Sequence, residues 1–111
     1  MKTRNLVLTA LFSVSVLASA TFAQQKEAEG KKIFEANKCT MCHSLKAENI
    51  TAKGKSKAPD LSTVGATQKP EWIEKFVTKQ EKLDGKQHPI AFKGSNADLK
   101  TLATWLASHK K

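Results

Sequence analysis

The stretch Cys39-Thr40-Met41-Cys42-His43 decides how the rest of the chain is read. Two thiols three positions apart, followed at once by an imidazole, form the attachment sequence for a c-type haem. Each sulfur adds across one vinyl group to make a thioether, and the two vinyls sit on neighbouring pyrroles of a rigid plate. A short, locally helical link holds Cys39 and Cys42 at that separation. It carries His43 to one face of the plate, where a ring nitrogen can bind iron as the proximal ligand. The remaining sequence has to enclose a flat apolar group and decide what takes the iron's other axial position.

Other uses of a Cys-x-x-Cys pair fit less well. A redox dithiol belongs in a βαβ context, and no such pattern surrounds Cys39. A structural zinc site needs further ligands at close spacing, and His43 with the distant His88 or His109 makes a poor set. A bridge between Cys39 and Cys42 closes too small a loop to stabilise much.

Upstream of the motif, Met1-Lys2-Thr3-Arg4-Asn5 is a short basic segment, and an apolar run follows from Leu6 to about Ala20. Small residues then lead into Gln24-Gln25-Lys26-Glu27. This is the layout of a cleavable secretory signal, expected over residues 1–23 with the cut after Ala23; Ala18-Ser19-Ala20 offers an earlier one. The alternative is a membrane anchor, but the run is short of the roughly 20 residues needed to span. No cysteine follows the run closely enough to carry a lipid. Export is therefore expected, with residues 24–111 as one small domain. A domain of that size has a marginal apolar core by itself, and a covalently held haem adds a large surface to bury. The whole chain carries 19 lysines and arginines against 10 acidic residues, a net charge of +9 at pH 7. Lys2 and Arg4 leave with the signal, and the remaining lysines are scattered from Lys26 to Lys111 rather than blocked.

Residues Ala28 to Lys38 read as an amphipathic helix running into the motif, with Ala28, Ile33, Phe34 and Ala36 toward one side. After His43 the pattern dissolves, and the lysine-rich stretch from Thr51 to Lys57 reads as exposed loop. Gly65 closes a turn. Lys69-Pro70-Glu71-Trp72 marks a second helix start, with Pro70 at the first helical position. Trp72, Ile73, Phe76 and Val77 then form its buried stripe. A polar loop from Glu81 to Gly94 holds His88-Pro89. Ser95 with Asp98 three positions on signals the cap of a last helix, whose apolar face is Leu99, Leu102, Ala103 and Leu106 with Trp105 beside it. Lys110 and Lys111 suit its negative end. No segment alternates convincingly as a strand, so the expected class is all-α.

With these pieces placed, the mature chain resembles the class I, mono-haem cytochrome c family over nearly its whole length. The residues that carry the likeness are Gly30-x-x-x-Phe34, then Cys39-x-x-Cys42-His43, then Pro59-x-Leu61, a middle helix, a ligand loop, and Leu102-x-x-Trp105. The resemblance implies three to four helices wrapped around one haem c, attached through Cys39 and Cys42. It implies that Gly30 lets the first and last helices approach, and that Phe34 meets Leu102 and Trp105. It implies that the carbonyl of Pro59 accepts the free N–H of His43, which would fix the ring and raise its donor strength; a plain turn proline is the other reading.

The departure lies in the distal ligand. Family members usually supply a methionine from the loop before the last helix, often directly ahead of proline. Here the only methionines are Met1, which leaves with the signal, and Met41, trapped inside the motif. His88-Pro89 stands at that position, so His88 is the expected second iron ligand, with an open site, water or His109 as alternatives. His109, past the last helix among lysines, reads as a surface residue.

A soluble single-electron carrier outside the cytoplasm, and not an enzyme, is the function these features imply. Iron with two protein ligands has no vacant position for substrate. Lys53, Lys55, Lys57, Lys86 and Lys93 would rim the haem edge and steer acidic redox proteins, or form a generally solvated basic surface. The expected partners are thus redox proteins with acidic docking surfaces, with no nucleic acid and no stable membrane insertion after signal removal. The alternatives are a gas-binding or sensor protein with an open distal site, a minor peroxidase, and a haem subunit of a dehydrogenase or oxidase.

Overall fold

A computed structural model describes residues 17–111. Three helices dominate them: α1 (Leu17–Ala36), α2 (Pro70–Val77) and α3 (Asn96–Ala107). Most of the leader expected over residues 1–23 lies outside the described residues. Its last part opens α1, whose residues 21–29 are exposed; Gly30, the next position, is buried. Among the described residues no helix is long and apolar enough to cross a membrane.

α1 starts earlier and stops sooner than the reading of Ala28 to Lys38. Its last carbonyls are met locally: both the backbone N–H and the side-chain amide of Asn37 donate to the carbonyl of Ile33, at 3.0 and 2.8 Å. Lys38 then takes a left-handed conformation, φ 60°, which ends the helix as an αL cap does. That turn delivers the chain into the cysteine motif.

α3 forms where its cap predicts. The hydroxyl of Ser95 accepts the N–H of Asp98 at 3.1 Å, occupying one of the donors a helix start leaves free. Lys110 and Lys111 lie beyond the helix end rather than in its last turn. α2 begins at Pro70, where the missing N–H costs nothing, and it buries Ile73 fully and Trp72 and Val77 in part.

The core is the crossing of α1 on α3, closed by α2. Phe34, Leu102, Trp105 and Leu106 are all buried there, each contributing on the order of 1.5–3 kcal/mol from apolar surface removed from water. A Cβ at position 30 would collide with the Cβ and Cγ of Trp105, so the backbone of α1 reaches the indole only because Gly30 has no side chain. Phe34 meets Trp105 at a ring separation of 5.7 Å and a tilt of 59°, a favourable edge-to-face class of contact.

Three features depart from the sequence reading. Leu45 and Ile50 are core residues, joined by a reciprocal backbone bridge around the 3₁₀ turn Lys46–Glu48. The loop before α3 contains a two-stranded hairpin, β1 (Lys82–Leu83) with β2 (Lys86–Gln87), turned at Asp84-Gly85. Both turn residues have positive φ, 51° and 77°, the conformation of a tight two-residue hairpin; the class stays all-α with this one addition. The third departure is His109. Its side chain is only 8% exposed, with Nδ1 donating to the carbonyl of Trp105 at 2.8 Å and Nε2 2.9 Å from Oε1 of Glu48. The carbonyl of His109 in turn accepts the N–H of Gly65, at a point where a Cβ on Gly65 would strike the carbonyl of Ala107.

Candidate functional site

The motif forms a 3₁₀ turn, Cys39–Met41, that continues as the N–H of His43 donates to the carbonyl of Cys39 at 2.9 Å. This is the short helical link that brings two thiols and an imidazole to neighbouring positions. Both thiols are free. Burial, aided by the nearby Cys42 and opposed by a backbone hydrogen bond, pushes the Cys39 thiol up to about 11. A dithiol catalyst needs the opposite, a depressed thiol, so this pair is poorly suited to thiol–disulfide exchange.

The following loop is folded back on the motif. The N–H groups of Lys53 and Gly54 donate to the carbonyls of Thr40 and Met41, at 2.8 and 3.0 Å, and Ala52 donates to the hydroxyl of Ser44. The stretch from Thr51 to Lys57 is therefore exposed but tethered. Next to it, Asp60 accepts the N–H groups of Ser62 and Lys46, at 2.8 and 3.2 Å. These bonds, led by Ser62, hold its carboxyl below the usual carboxylate range.

That braced loop presents the carbonyl of Pro59 2.8 Å from Nδ1 of His43. A carbonyl can only accept, so Nδ1 carries the proton and Nε2 keeps a lone pair. Burial lowers the pKa of His43 below its ordinary value; the Pro59 carbonyl acts against this, and His88 reinforces it slightly. The neutral ring that results is the form a metal binds.

His88 comes to the same place from the far side of the sequence. Its Nδ1 donates to the carbonyl of Ile90, so Nε2 is its free nitrogen as well. The two imidazoles are nearly parallel, 12° apart, with ring centres 6.2 Å from one another. Phe76 of α2 sets its ring against His88 at 5.3 Å and 76°, and Trp72 stacks behind Phe76 at 4.7 Å. His109, the other histidine of the chain, is engaged by Trp105 and Glu48 instead.

The residues fit a haem. Two imidazoles on opposite sides of one metal ion, with bonds of about 2 Å and about 1 Å more from each nitrogen to its ring centre, stand about 6 Å apart. Among the described residues no group of three or more His, Cys, Asp or Glu side chains could hold a bare metal ion. A macrocycle brings its own equatorial nitrogens, so two histidines suffice, and Cys39 and Cys42 stand ready to fix its edge.

The family model for cytochrome c matches residues 27–110. The chain belongs to the cytochrome c family. No curated protein and no solved structure gives a match. Membership implies covalently attached haem c with its iron, for which Cys39, Cys42 and His43 supply the motif. The packing of α1 on α3 and the helix that follows Pro70 are then the frame of a cytochrome c domain, and haem-based electron transport is the family's business.

Sequence reasoning missed the roles of Ser44, Asp60, Phe76 and Gln87. Asp60-Leu61-Ser62 could have been found, since an aspartate bonded to the N–H two residues on is a local turn signature. Ser44 and Gln87 each bond to backbone 8 positions away, beyond the reach of a local turn signature.

Proposed function

We propose that this chain carries single electrons between redox proteins outside the cytoplasm, with one haem c held axially by His43 and His88. The observation that carries the reading is the pair of near-parallel imidazoles 6.2 Å apart, each with Nδ1 engaged by a backbone carbonyl. The haem would supply a one-electron iron couple. His43 and His88 would occupy both axial positions, which favours outer-sphere transfer over substrate chemistry. The carbonyls of Pro59 and Ile90 fix the two rings and increase their donor strength. Imidazole donates more strongly than thioether and favours ferric iron, so the potential should lie below that of a His/Met site.

Export is supported by the basic start and apolar run of residues 1–23 and by the exposed opening of α1. Acidic partners are supported by the net charge and by Lys53, Lys55, Lys57, Lys86 and Lys93, all exposed on the two loops that flank the histidines.

Absorption and electron paramagnetic resonance spectra of the ferric holoprotein test the reading. Wild type should be low-spin and lack the long-wavelength methionine-to-iron band. His88→Ala should raise the high-spin fraction and let carbon monoxide bind the ferrous protein readily. His88→Met should raise the midpoint potential by on the order of 100 mV, within the roughly 0.8 V span that axial ligands cover. A His88→Ala protein with unchanged spin state and unchanged carbon monoxide binding would move the open-site, gas-binding reading ahead.

A further inference from the structure

We propose that Gln87 is a positioning residue for His88, pinning one foot of a short arch to the end of α2. The inference rests on the reading of His88 as an iron ligand. The arch spans residues 88–91, and both of its feet stand on the same platform. On the N-terminal side, the amide of Gln87 donates to the carbonyl of Lys79 at 2.9 Å. On the C-terminal side, the N–H of Phe92 donates to the carbonyl of Val77 at 2.8 Å. Phe76, one residue before Val77, meets the His88 ring itself.

The platform is stiff. Lys79 has φ 64° and donates to Phe76, Gln80 donates to Lys75 at 2.7 Å, and the hydroxyl of Thr78 donates to Glu74 at 2.7 Å. The backbone of Gln87 is also held, because it pairs with Lys82 across the hairpin. With backbone and side chain both fixed, Gln87 leaves His88 little freedom to swing away. Pro89 restricts the next step of the chain. The hairpin, invisible as an alternating pattern, thus serves the site by returning the chain to the end of α2 just before the ligand.

A ligand held this way leaves the iron only when the arch lifts. Losing one hydrogen bond of ordinary net strength should increase the lifted fraction roughly 2- to 12-fold. The rate at which ferrous holoprotein binds carbon monoxide, measured at low gas concentration where it is proportional to that concentration, reads that fraction. Gln87→Ala and Gln87→Glu, the second keeping length but losing the donor, should each raise this low-concentration rate by about that factor. Gly85→Ala provides an independent route. Its φ of 77° strains any side chain, while the space around it is open, so it loosens the hairpin without a clash and should move the rate the same way.

The folding constant should fall by no more than about the same factor in all three, since Gly85 and Gln87 are exposed and lie outside the core, and a bond lost from the closed protein counts equally against the lifted and the unfolded state. His88→Ala serves as the open-site reference. If that reference binds carbon monoxide freely while the three variants match wild type, the positioning role is overturned and the ligand reading stands. If His88→Ala itself behaves like wild type, the ligand reading fails and this inference with it. A loss of global stability with no rise in rate would also overturn it, because the Gln87 bond would then be kept in the lifted arch and Gln87 would be a general structural residue.

Discussion

His109 shows how a single side chain can hold two distant parts of the chain together. It offers one ring nitrogen to Trp105 of the preceding helix and the other to Glu48, 61 positions away. Glu48 sits in the turn that buries Leu45 and Ile50, and its carbonyl also lies 3.4 Å from the ammonium of Lys31 on α1. Replacing His109 with alanine should leave the Glu48 carboxylate without its partner and cost about 1–3 kcal/mol, toward the lower end because Glu48 keeps a third of its side chain in water. Denaturant melts of His109→Ala, Glu48→Gln and the double variant would show the pair as a coupling energy. Nothing in Ser108-His109-Lys110-Lys111 announces this. Cys39, Cys42 and His43 were legible because haem attachment requires a local spacing. His88 was legible only through its place in a family pattern. His109 owes its role to Glu48, far off in sequence, while Leu45 and Gln87 bond to backbone elsewhere in their own loops, and solitary residues in polar stretches carry no periodicity to reveal them.

Among the elements, the helices could be read and the loops could not. α2 and α3 are marked by Pro70 and Ser95, whose chemistry acts within one turn. The crossing of α1 on α3 was legible only through the place of Gly30 and Trp105 in the family pattern, and it makes a sharp expectation. Gly30→Ala gains about 1 kcal/mol of helix propensity but drives a methyl group into the root of the Trp105 side chain, which cannot swing aside. Overpacking of that kind costs about 1–3 kcal/mol, so the clash should win and the thermal midpoint should fall. The Pro59 loop gives a second expectation, in pH. Asp60 has a folded-state pKa below its ordinary 3.8, so its bonds to Ser62 and Lys46 contribute fully above that value. The contribution is lost as pH falls through the depressed folded value. Asp60→Asn should therefore flatten the acid limb of a stability–pH curve and leave the curve near pH 7 parallel to wild type.

At the scale of the whole molecule, charge is the property partners meet first. The lysines are spread over the surface, with Lys53, Lys55 and Lys57 on one loop beside the motif and Lys86 and Lys93 on the other. Electron transfer to an acidic partner should slow as salt rises over the range where the Debye length shrinks from roughly 30 Å to 10 Å. Stopped-flow rates at several ionic strengths check this, and a flat profile with every acidic partner tried would reduce the lysines to solubility.

The crossing of α1 on α3 also sets a timetable. A chain made from its N-terminus presents Gly30, Phe34 and both thiols while α3 is still unmade. α1 cannot bury its face until Trp105 arrives, and a helix without a partner is marginal in water. Until α3 is made, Cys39 and Cys42 therefore sit on a chain whose core is still open. The last helix is a latch that cannot close early, because it is synthesised after everything it shuts in.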